Sequence, residues 1–194
     1  MPNFAIQSGV LKGLKLVFNP AEGTRPTKSI VRESFFNTIG GEIVGSVFIE
    51  AFAGCGSMGL EALSRGASEA VFYEIDKGAY SILEKNLSLA KRRIPTLDIS
   101  HFHTDFFAQD LKPYMSLSIQ VILYLDPPFC IREGKADIYQ KLLAKIHNLG
   151  RCAIGLIVFE HWSEYNMPHI IGVYERLKVR QFGKSALTYF RLKD

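Results

Sequence analysis

The sequence predicts an α/β protein with a mostly parallel sheet that ends in an antiparallel hairpin, and three observations carry that expectation. Short apolar runs alternate with helical patterns through the middle of the chain. A glycine-rich turn directly follows the first of those runs, and an acid ends the second. The last two strand-like runs are too close together for a helical crossover, so they must pair antiparallel.

Taken in order, residues 9–18 alternate loosely around Lys12-Gly13, which predicts a small N-terminal hairpin arm. Thr27 is placed to cap a helix carrying Ile30, Val31, Phe35 and Ile39 toward a core, and Gly40-Gly41 ends it. Core strands are expected over 47–52, 71–75, 99–104, 121–125 and 153–159. Helices are expected over 57–65, 76–93 with Asp76 as N-cap, and 136–149. Beyond Pro168, residues 170–179 and 186–192 flank Gln181-Phe182-Gly183-Lys184-Ser185 and form the hairpin. The organisation expected is one domain, with an arm and helix over 1–45 and a core over 46–194.

The 194 residues are 47% hydrophobic and 22% charged, with mean hydropathy +0.08, which suits one globular domain. The longest apolar runs fall far short of the roughly 18 to 20 residues of a membrane span. The N-terminus lacks the basic and apolar regions of a secretion signal, so a cytoplasmic, membrane-free protein is expected. Cys55, Cys130 and Cys152 are odd in number and without a C-x-x-C pair, and His101 and His103 share a strand face without completing ligands. Neither a disulfide framework nor a metal site is expected. Cys55, at a helix start, could have a lowered pKa, although the loop's demand for small residues explains it more simply.

Charge is concentrated at the two ends. Residues 1–32 and 175–194 each carry +4, leaving −4 between them. A polyanion would be drawn to those ends, with Lys12, Arg25, Thr27, Arg32, Lys178, Arg180 and Lys184 as candidate contacts, although solvated surface explains the charge equally well.

Gly54-Cys-Gly56-Ser-Met-Gly59 is a G-x-G-x-x-G turn, and Glu74 lies 20 residues beyond Gly54. Glycines let the backbone turn sharply and a ligand approach closely, and the acid can accept both ribose hydroxyl hydrogens. An adenosine-bearing cofactor follows, and the spacing alone leaves a nicotinamide dinucleotide open. Glu50 argues otherwise, because a carboxylate beside the glycines repels a pyrophosphate and suits an ammonium or sulfonium. Those are the charges of S-adenosylmethionine. Phe52 flanks the turn, and Asp105-Phe106 offers the adenine an acceptor and an apolar face, with a capping role for Asp105 equally plausible.

Asp126-Pro127-Pro128-Phe129 follows an apolar strand, at the edge where open α/β sheets bind ligands. Asp126 and the Pro127 carbonyl can accept the two hydrogens of a planar exocyclic amine and direct its lone pair at a methyl group. Phe129 can stack on a base swung out of its helix. Glu160, ending the last core strand before the hairpin, could line the base pocket or lie on the surface. Trp162 and Tyr165 read as packing.

On these motifs the sequence resembles the bacterial 16S ribosomal RNA guanine-N2 methyltransferases of the RsmD type. The matching segments are Gly23 to Thr27, Val31 to Asn37, Phe52 to Ala67, Glu74, Asn86, Leu125 to Phe129 and the closing 178–191 hairpin. The resemblance implies a Rossmann-like methyltransferase with a seven-stranded sheet, S-adenosylmethionine as donor, and 16S rRNA or an assembling small subunit as partner of a monomer. It carries Glu50, Gly54, Gly56, Glu74 and Asp105 over as cofactor contacts and Asp126 to Phe129 as catalytic. Glu50 stands where Asp is usual, Phe129 where Tyr is usual, and the arm is less basic than the family's. An N6-adenine or glutamine-amide methyltransferase, a nicotinamide-dependent oxidoreductase and a non-catalytic RNA-binding module are the other classes compatible with parts of this pattern.

Overall fold

The computed structural model describes residues 4–18, 29–115, 118–128 and 137–193. Arg25, Thr27 and Phe129 lie outside them. The chain forms two compact units, 1–106 and 107–194.

In the first unit, β1 (Val47–Glu50), β2 (Glu69–Glu74) and β3 (Ile99–His103) run parallel with β2 in the middle. Every residue of β1 is buried, as a strand covered on both faces requires. The helices are α1 (Ser29–Ile39), α2 (Ser57–Ser64) and α3 (Lys77–Arg93). The carboxylate of Asp76 caps α3 by accepting from Ala79 N at 2.8 Å, as the sequence predicts. On the buried face of α3, Leu83, Leu87 and Ala90 meet Leu60, Leu63 and Phe72 in one apolar cluster.

The arm differs from a simple hairpin tipped at Lys12-Gly13. Residues 4–6 pair with 14–16 through one antiparallel bridge, Ala5 to Lys15, around a wide turn. The turn is shaped by α2: Val10 N donates to Ser64 O (2.8 Å), Leu11 N to Ser64 Oγ (2.9 Å), and Ser64 Oγ to Ser8 O. Gly9, at φ +76°, presses so closely on this helix end that a Cβ would lie 1.6 Å from Ser64 O.

Arg32 is corrected by the structure. It is 1% exposed, with Nη2 donating to Ala5 O (2.9 Å), Nε 3.7 Å from the Glu61 carboxylate and its guanidinium over the Phe4 ring. Glu61, fully buried, also accepts from Gln7 N, Ser8 N and Arg65 Nε. A charge needed to neutralise a buried carboxylate is not offered to RNA.

In the second unit, β4 (Val121–Leu125) and β5 (Ile154–Trp162) are parallel. β8 (Ser185–Leu192) is antiparallel to β5, β7 (Tyr174–Phe182) to β8, and β6 (Ile170–Ile171) to β7. Two helices, α4 (Lys112–Met115) and α5 (Asp137–His147), accompany them. β5 outruns its expected end because β8 keeps pairing with it as far as Trp162 and Ser185. The run expected over 170–179 breaks at Gly172 (φ +57°), where a Cβ would lie 2.8 Å from His147 O, and so becomes β6 and β7. The described residues therefore contain eight strands, mostly parallel at first and antiparallel toward the C-terminus.

Candidate active site

The glycine turn divides its labour. Gly54 (φ +53°) has nothing within 4 Å of where a Cβ would stand, so the space above it is open to a ligand. Gly56 and Gly59 are packing positions: a Cβ would meet Leu83 at 2.5 Å in the first case and the Phe72 ring at 2.3 Å in the second. Glu74 turns back onto this turn, accepting from Gly54 N (2.7 Å, Oε2) and Asp76 N (2.8 Å, Oε1). An ionised carboxylate has about four lone-pair sites, so the two bonds fix Glu74 while leaving acceptor capacity for a diol. An open glycine beside a half-buried, fixed carboxylate fits an adenosine ribose.

Glu50 is placed otherwise than the cation-facing role expected of it. It is 4% exposed, and its carboxylate accepts from Gly59 N (2.8 Å) and Met58 N (3.4 Å). The N-cap of α2 is Gly56, which has no side chain to satisfy these N–H groups, and Glu50 does so instead. Burial pushes its pKa up to about 8. The same burial raises the Cys55 thiol to about 12, the opposite of an activated thiolate.

Phe106 is buried, with its ring 5.8 Å from both Phe52 and Tyr73, so it walls this region from within. Asp105 and Phe52 are half-buried. Ile75, which sequence reasoning missed, follows Glu74 with 62% of its surface exposed. Its carbonyl accepts from His103 Nε2 (3.1 Å), and His103 stacks on Tyr80 at 4.7 Å. An apolar residue just after a strand-ending acid is the signal that could have revealed it. Asn86 ties the arm to the turn, exchanging hydrogen bonds with Val17 and donating to Cys55 O (2.8 Å).

In the second unit, β4 is buried at every residue and delivers a half-buried Asp126, a buried Pro127 and an exposed Pro128. Leu125 pairs with Phe159, so the next residues along the two strands are Asp126 and Glu160. Glu160 is buried, not a surface residue, and accepts from the Tyr124 hydroxyl at 2.7 Å. Tyr139 of α5 accepts from Trp162 N (3.1 Å) and packs on Tyr165 at 4.4 Å. Burial raises its hydroxyl to about 12, the charge of Asp126 adding to the effect. His161 donates from Nδ1 to Trp162 O (2.7 Å); burial lowers its pKa, so the neutral ring accepts the Thr188 hydroxyl at Nε2 (2.7 Å). Lys12, Lys178, Arg180 and Lys184 are exposed. Among the described residues no His, Cys, Asp or Glu cluster could hold a metal ion, and no helix is long and apolar enough to cross a membrane.

Parallel strands, a glycine turn with an acid one strand away, and terminal antiparallel strands define a Rossmann-like methyltransferase fold, and the solved chain yhhF of Escherichia coli, which bears a methyltransferase name, shares it. That likeness covers 97% of each chain at TM-score 0.76 and 28% identity. The family described as Conserved hypothetical protein 95 matches residues 4–191, and the chain belongs to this family, that of the RsmD-type ribosomal RNA small subunit methyltransferases. It is 33% identical to ribosomal RNA small subunit methyltransferase D of Haemophilus influenzae over 163 residues, 83% of this chain and 74% of that protein. YlbH of Bacillus subtilis, which carries an rRNA methyltransferase name, is 29% identical over 189 residues, 95% of this chain and 96% of its own.

Proposed function

We propose that this protein transfers the methyl group of S-adenosylmethionine to the exocyclic N2 amine of a guanine in small-subunit ribosomal RNA. Family membership supports the reaction class. The observation that carries the chemistry is the Asp126 turn, a half-buried carboxylate directly after a strand with no exposed residue, stiffened by two prolines.

When bound, S-adenosylmethionine supplies a methyl group on a cationic sulfur. Glu74 is assigned to its ribose hydroxyls, the open face of Gly54 to the close approach of its backbone side, and Ile75 with Asp105 to the adenine. Phe52 and Phe106 form the wall behind these groups. Glu50 acts at one remove, holding the start of α2 and with it the glycine turn. At the other end of the reaction, Asp126 and the Pro127 carbonyl accept the two hydrogens of the guanine amine. That holds the nitrogen toward pyramidal geometry and aims its lone pair at the methyl carbon. On taking up the methyl group that the cofactor would supply, the amine would lose a proton, and Asp126 or water would receive it. Phe129 is assigned to stacking on the target base.

The test is methyl transfer to small-subunit RNA taken from cells lacking this gene, read by nucleoside mass mapping. N2-methylguanosine is the expected product. Asp126→Ala should lower turnover by about two orders of magnitude or more while leaving cofactor affinity by calorimetry nearly intact. Glu74→Ala should instead weaken that affinity. A different methylated base, or equal loss of binding and turnover in Asp126→Ala, would overturn the assignment.

A further inference from the structure

The groove between α3 and β3 plays no part in the site above. It encloses about 430 Å³ over an apolar floor of Leu87 and Ile99, with Ser88, Lys91, Arg92 and His101 around it. Glu84 also lines it, but seven residues before Lys91, about two helical turns away. β3 pairs with β2 alone in the first unit, so it is this unit's edge strand. Basic charge crowds one end of the groove, because Lys91, Arg92 and Arg93 are consecutive and exposed in the last turn of α3. The arm adds to it: Arg93 Nη1 donates to Leu11 O (3.5 Å), which sets the next residue, exposed Lys12, at the same end of the helix.

A helix C-terminus carries only about half a negative charge. Four cations from two separate segments exceed what that partial charge needs, and no ion pair joins any of the four to an acid among the described residues. Such clustering costs stability through self-repulsion and is relieved by an anionic partner. The groove also offers a hydroxyl and an imidazole beside its cations, the donor types that contact phosphates.

We propose that this groove and the adjoining turn of the arm bind the sugar-phosphate backbone of the RNA substrate. Lys91 and Arg92 contact phosphates in the groove, and Arg93 and Lys12 carry the path beyond its end. The identity of the polyanion rests on the function proposed above. Free phosphate shares the chemistry, and the experiment separates the two.

The probe is a transcript of small-subunit rRNA, with binding measured by filter retention from 50 to 300 mM salt. For Lys91→Ala/Arg92→Ala, the slope of log affinity against log salt should fall by about 2, and affinity near 0.1 M should weaken about tenfold. Lys141→Ala on α5 serves as control and should change neither, and S-adenosylmethionine binding should be the same in all three proteins. Sodium phosphate and sodium chloride at equal ionic strength should displace the RNA equally. Wild-type slope and affinity in the double variant overturn the proposal, as does phosphate-specific binding in the groove with the RNA slope unaltered. Methyl transfer by the wild type is scored separately. If it fails, the reaction assignment falls; if it succeeds while the double variant binds RNA normally, only the groove assignment falls.

Discussion

Glu50 shows how one residue's surroundings reverse its expected chemistry. Its ordinary pKa is 4.5, and burial lifts it to about 8 in the folded chain. The folded protein therefore holds a proton that the unfolded chain releases above about pH 4.5. Its contribution to stability is full below that point and is lost as pH rises toward about 8. Glu50→Gln keeps an oxygen acceptor for Gly59 N and has no proton to lose. Its stability should decline less steeply between pH 5 and 8, the difference being on the order of 1 kcal/mol per pH unit. Urea midpoints at three pH values test this, and parallel profiles for the two proteins would sink it. Tyr124 and Glu160 give the complementary case, a buried acid accepting from a phenol beside the Asp126 turn. Sequence reading did not single out Tyr124, which precedes Asp126 by two. Glu160 pairs with Leu187 of β8, and no local pattern reports its burial.

Among the elements, the arm depends most on contacts distant in sequence. Its backbone reaches α2 at Glu61 and Ser64, more than 50 residues away. Gly9→Ala would drive a Cβ into Ser64 O at a left-handed φ, so a loss above about 2 kcal/mol is expected. Gly13→Ala meets the same backbone preference with nothing within 4 Å and should cost about 1 kcal/mol. Thermal midpoints of the two variants make the comparison, and equal losses would mean that the docking of Gly9 on α2 contributes nothing. β7 is also decided by its neighbours: β6 pairs with it only through Ile170 and Ile171. Lys178 and Arg180 stand on the stretch beyond, where charge also discourages addition of a further strand.

For the whole molecule, the net charge of +4 belongs to the second unit, which holds 12 basic and 8 acidic residues, while the first holds 11 of each. Reversing Lys12, Lys178 and Lys184 to Glu should weaken RNA binding and flatten its salt dependence, with S-adenosylmethionine binding unchanged. RNA retention unaltered across a salt series would reduce these residues to solvated surface and edge protection. The sequence by itself determined the alternation of strands and helices, the glycine turn with Glu74 after it, the Asp76 cap and the placement of Asp126 at a strand end. Apart from the 20-residue step from Gly54 to Glu74, each of these is written in residues a few positions apart, where backbone preference and period act locally. Tertiary structure alone decided that Arg32 is buried against Glu61, that Glu50 caps α2, that Gly172 splits a strand in two, and that Arg93 meets the arm at Leu11. The deciding partner lies on another element each time, from 8 or 9 residues away for Glu50 to 82 for Arg93, and burial, which sets the charge and availability of a side chain, exists only once those elements have packed.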